Sequence, residues 1–91
     1  MAAVTVRIQG RVQGVGYRYW VARQAGLTGI DGWARNRRDG SVEAVFSGTE
    51  HALLKMLVAC REGPAMARVT RVQEKPYDGP VDAGFHMRET G

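Results

Sequence analysis

Residues 4–25 change their periodicity abruptly, and that change limits what the chain can fold into. Val4, Val6 and Ile8 alternate with Thr5, Arg7 and Gln9, which is the period of a half-buried strand. GRVQGVGYR, residues 10–18, follows with three glycines and a single amide side chain. Beyond it Tyr17, Val21 and Ala25 recur at intervals of four, and Trp20 and Leu27 stand seven apart, which is the repeat of a helix. A strand therefore runs through a glycine-rich turn into a helix N-terminus. Gly26, followed by Leu27, stands where a left-handed cap and its apolar partner would end that helix.

The rest of the chain extends this unit. Residues 30–37 and 41–47 read as strands around Asp39-Gly40, a hairpin signal. Val42, Ala44 and Phe46 share one face of the second. Thr49 is the expected N-cap of a second helix, with Glu50 at its positive end. Leu53, Met56, Leu57 and Cys60 form its apolar stripe, and Gly63-Pro64 stops it. Residues 66–75 predict another strand, with a bulge because Val69 and Val72 differ in parity. A short end strand is expected around Phe85 and Met87, after the YDGP turn. The order βαββαβ places the chain in the α+β class, as a ferredoxin-like sandwich with one antiparallel sheet and two helices on one face. A length of 91 residues suits one domain, 1–91. So small a chain has room for one modest core.

The glycine turn can be read in two ways. As an anion site, it would offer the unpaired N–H groups of a helix start, the positive end of the helix dipole, and the donor fork of Arg18. As a plain turn, it would do none of this. Nucleotide motifs do not fit. The Walker A pattern needs a lysine and a serine or threonine that the turn lacks, and the dinucleotide fingerprint starting at Gly14 and Gly16 meets Tyr19 in place of its third glycine. Asn36 carries the same ambiguity. It lies at a strand end on the parity of Ala34, where it is either a turn residue or within reach of the first loop.

Together the two stretches are more specific. GRVQGVGYR, residues 10–18, and GWARNRRDGSVEAVFSG, residues 32–48, resemble the two signatures of the acylphosphatase family in order and spacing. Residues 63–72, with their GP–A–RV–RV pattern, are also similar. Tyr17 stands where phenylalanine is commoner, and Ala34 where valine is. The resemblance covers nearly the whole chain and so implies a free-standing small enzyme. It implies hydrolysis of the carboxyl–phosphate anhydride of acyl phosphates to carboxylate and inorganic phosphate. By the same resemblance Arg18 and the backbone of Gln13, Gly14, Val15, Gly16 and Tyr17 bind the phosphoryl group, and Asn36 positions the attacking water.

Arg18 and Asn36 are thus the expected catalytic residues, with no metal and no cofactor. A carboxamide cannot serve as a general base near neutral pH, so the proton acceptor stays open. His51 and His86 lie outside both signatures and read as surface or structural residues. The thirteen basic residues, all arginine except Lys55 and Lys75, give a formal charge of +4 and favour anionic partners. One rival reading is an RNA-binding sheet. Against it, there is no aromatic-rich RNA-binding run, and Trp33 alone could face out from the sheet. A regulatory domain without chemistry is the other rival. The single cysteine, Cys60, excludes an intrachain disulfide and a thiolate zinc site. No apolar run of signal-peptide or membrane-span length occurs at the N-terminus. The expected protein is a cytoplasmic monomer acting on small-molecule acyl phosphates, without nucleic-acid or membrane partners.

Overall fold

The computed structural model of the chain describes residues 2–91. Along the chain run β1 (Ala2–Arg11), α1 (Tyr17–Thr28), β2 (Asp31–Asn36), β3 (Val42–Gly48), α2 (Glu50–Glu62), β4 (Arg68–Pro76) and β5 (Phe85–Met87). The strands form one sheet in the order β4-β1-β3-β2-β5. The first four pair antiparallel throughout. β5 adds beside β2 in parallel, with Phe85 opposite Gly32 and Met87 opposite Ala34. The sheet is therefore mixed rather than wholly antiparallel. β5 runs opposite to β4, so residues 77–84 pass along one end of the sheet and carry the chain from one edge to the other.

Period-two alternation sets the two faces. Val6, Ile8, Ala34, Val42, Ala44 and Phe46 are buried under the helices, while Thr5, Arg7, Gln9 and Glu43 line the opposite face. α1 packs over β2 and β5, α2 over β3 and β4, and the helices touch each other. Leu53, Met56, Leu57 and Cys60 all enter the core from α2, as their spacing predicts. The Thr49 hydroxyl accepts from Ala52 N–H at 3.1 Å, capping α2. The bulge in β4 is also present. Gln9 faces Arg71 but Gly10 faces Val69, leaving Thr70 unopposed. That extra residue lets Val69 and Val72 both pack against the core. Gly10 has φ 122°, and a Cβ there would lie 2.0 Å from the Arg68 carbonyl oxygen, so only glycine fits the bulge.

One expected boundary is wrong. Gly26 does not cap α1, which continues to Thr28 and ends on Gly29 in the left-handed conformation, φ 73°. Ile30 N–H then reaches Ala25 O at 2.9 Å. The chain holds two glycine–apolar pairs three residues apart, and burial decides between them. Ile30 is in the core, whereas Leu27 is exposed. Ending at Gly29 puts the buried side chain in the cap's apolar contact.

Candidate active site

The first loop takes its shape from two glycines. Gly14 and Gly16 have φ 72° and 76°, and a Cβ on either would meet nothing within 4 Å. They are needed for conformation, not for space. Gly16 is the N-cap of α1. No side chain caps this helix, and its first turn contains no acidic residue. The first bond to close is Trp20 N–H to Gly16 O at 3.0 Å, and the loop hydrogen bonds include none from the N–H groups of Gln13, Gly14, Val15, Gly16 or Tyr17. Among the described residues these donors have no partner, and they stand at the positive end of the helix dipole.

Arg18 is the second residue of α1. A cation there opposes the helix dipole, so charge and amides concentrate positive potential at one point. Its Nη1 donates to the Arg88 carbonyl oxygen at 3.3 Å. An arginine has further donors to offer an anion.

Asn36 ends β2 on the core-facing parity of Ala34, and pairs with Val42 of β3. Its Oδ1 lies beneath the surface with no hydrogen-bond partner among the described residues. A buried unpaired acceptor is costly and calls for an explanation. Gln13, Gly14, Gly16, Tyr17, Arg18 and Asn36, together with Val12 and Tyr19, line one depression of about 140 Å³. Larger hollows exist, including one of about 530 Å³ between α2 and β4. A phosphoryl group is small, however, and convergent donors matter more to it than volume.

Every residue singled out by the two stretches therefore meets here except Val15, whose side chain packs against the core. Two contributions were not foreseen. The Gln13 amide donates to Arg37 O at 2.7 Å and to Ser41 O at 2.9 Å, crossing from the loop to the β2–β3 hairpin. The only hint in the sequence was that one amide stands in an otherwise apolar and basic turn. The Tyr17 hydroxyl donates to Cys60 O at 2.7 Å. Four residues after Cys60 stands Pro64, which has no N–H to give this carbonyl. The phenol supplies the missing donor and ties the start of α1 to the end of α2. Burial raises the Tyr17 hydroxyl above its ordinary pKa and pushes the Cys60 thiol up to about 12.

Groups outside the depression face solvent or have partners of their own. His51 is exposed on α2, and His86 bonds the Ala83 carbonyl at 2.9 Å. Of the arginine cluster near the hairpin, Arg35 and Arg37 both engage Glu43 Oε1, at 2.7 and 3.3 Å. Trp33 is only 9% exposed, because the Arg88 and Arg35 guanidiniums lie over it at 4.5 and 5.3 Å. Among the described residues, no cluster of three His, Cys, Asp or Glu could hold a metal. No helix among the described residues is long and apolar enough to cross a membrane.

Fold and depression together define a small ferredoxin-like α+β domain with a donor-lined depression at the junction of its first strand and helix. The family model for acylphosphatase matches residues 4–87. An acylphosphatase from Rhodopseudomonas palustris is 55% identical over 86 residues, 94% of this chain and 84% of that one. One from Rhodospirillum rubrum is 48% identical over 97% of both chains. The crystal structure of acylphosphatase from Bacillus subtilis superposes with a TM-score of 0.91 at 32% identity, covering 97% of this chain and 99% of that one. This chain belongs to the acylphosphatase family.

Proposed function

We propose that this acylphosphatase binds the phosphoryl group of its substrate on the backbone N–H groups of Gln13 to Tyr17 and on the Arg18 guanidinium, while Asn36 holds the attacking water. The enzyme hydrolyses the carboxyl–phosphate anhydride. Water adds to phosphorus, the bond from phosphorus to the bridging oxygen breaks, and the electron pair leaves with a carboxylate. Carboxylate, inorganic phosphate and one proton result. The carboxylate is a good leaving group, so the protein need mainly position the reactants and stabilise charge. Free amides and a guanidinium can do both for the phosphoryl oxygens. The Asn36 carboxamide can accept from a water but cannot deprotonate it near neutral pH. We infer that the substrate's own phosphate oxygens take up the proton of the attacking water.

The observation that carries this reading is the convergence of uncapped amides, Arg18 and Asn36 on one depression, with the Asn36 Oδ1 buried and without a partner among the described residues. Titration with inorganic phosphate, followed by amide chemical shifts, tests it. The largest shifts are expected at residues 13–18 and at the Asn36 side chain. Shifts centred elsewhere on the chain would overturn the assignment. We further infer one domain over 1–91, active as a cytoplasmic monomer and needing no metal. Hydrolysis of benzoyl phosphate in excess chelator, sedimentation and cell fractionation check these points. The covered Trp33 supports the absence of a nucleic-acid platform on the open sheet face. Salt-dependent binding to an RNA panel would contradict it.

A further inference from the structure

We propose that the Gln13 side chain is a positioning residue for the reaction, setting the separation between the phosphoryl-binding loop and Asn36; this rests on the roles proposed above for those two elements. The sheet order makes such a device necessary. The loop hangs from β1 and Asn36 ends β2, but these strands are not neighbours, because β3 lies between them. No strand pairing therefore sets the loop against Asn36. The Gln13 amide bridges that gap. Its two bonds, at 2.7 and 2.9 Å, grip the carbonyls at both ends of the hairpin turn, and the first of these belongs to Arg37, the residue after Asn36. One planar amide with both protons engaged leaves little freedom for the loop to slide along the sheet end.

These bonds are not what holds the hairpin together. Ser41 O also accepts from Arg37 N–H at 2.8 Å, and Arg37 O from Gly40 N–H at 3.1 Å. Removing Gln13 thus leaves neither carbonyl unpaired, and a variant should fold. What it loses is registration between loop and carboxamide. Small misplacements of reacting groups are expensive in rate.

The test is a double-mutant cycle on the full chain with benzoyl phosphate as substrate. Gln13→Ala is expected to lower kcat by about 10–10²-fold. Inhibition by inorganic phosphate should change by less than about threefold, because the loop amides and Arg18 remain. Gln13→Glu keeps the size but removes the donors, and should be at least as impaired. In an Asn36→Ala background the same Gln13→Ala change should cost less than about threefold, since there is no carboxamide left to position. Equal losses in both backgrounds would mean a merely structural side chain and overturn the proposal, as would an unchanged kcat in Gln13→Ala. If Asn36→Ala itself leaves kcat intact, the water-holding role fails separately, and any remaining effect of Gln13 cannot be ascribed to placing Asn36.

Discussion

Replacing Asn36 by alanine should move stability and activity in opposite directions. The Oδ1 of Asn36 is buried and unpaired among the described residues. Such a group destabilises the folded state by about 1–3 kcal/mol relative to one that is satisfied. Alanine removes the acceptor and keeps the Cβ, so little packing is lost. A net gain near 1 kcal/mol is expected, and for a domain of this size that raises Tm by about 4–8 °C. Activity should fall. Losing one preorganised hydrogen-bonding group at a reacting centre costs about 10²–10³ in kcat, or about 2.7–4 kcal/mol. Inhibition by inorganic phosphate should change far less, because Arg18 and the loop amides are untouched. Initial rates on benzoyl phosphate and thermal unfolding by circular dichroism measure both quantities on one preparation. A lower Tm with kcat kept within about threefold would refute the reasoning, showing Asn36 to be a structural turn residue.

Arg18→Gln should weaken inhibition by inorganic phosphate and reduce kcat together, since in the proposed site the guanidinium serves both bound and reacting phosphoryl oxygens; steady-state kinetics with phosphate as inhibitor reads both. Tyr17→Phe leaves Cys60 O without its donor, and Pro64 cannot replace it, so unfolding in urea should show a loss of about 1–3 kcal/mol. The chain should also weaken in alkali. Unfolded, Cys60 and Tyr17 titrate near 9.0 and 10.0, whereas the fold raises both, Cys60 to about 12. The folded state then holds protons that the unfolded state releases, so this stability is complete below about pH 9 and declines as pH rises above it. Urea unfolding between pH 7 and 11 should show that decline, and Tyr17→Phe should show a shallower one.

Much of this was legible in the residue pattern because the signals were local. Alternation at Val4, Val6 and Ile8, the Asp39-Gly40 turn and the stripe from Leu53 to Cys60 each follow from one element's own geometry. Even the bulge was visible in the mismatched parity of Val69 and Val72. The end of α1 was not, because Gly26-Leu27 and Gly29-Ile30 offer the same cap, and tertiary burial of Ile30 chooses between them. The parallel docking of β5 on β2 depends on where the chain after β4 returns to the sheet, which no local period encodes. The residues drawn together around the depression could be picked from two short stretches. What their side chains do could not. Gln13 bonds residues 24 and 28 positions away, and Tyr17 reaches 43 positions to Cys60. Partners at that range are set by topology, not spacing.

The insertion of β3 between β1 and β2 has a consequence for how the enzyme comes to life. A chain emerging from denaturant can close the β2–β3 hairpin early, since its ends are close in sequence, whereas β1 must find β3 across the whole first helix and turn. Catalytic competence waits on that slower, longer-range closure. Regain of hydrolysis during refolding is therefore a clock for completion of the sheet, and it should lag any optical signal that reports helix alone.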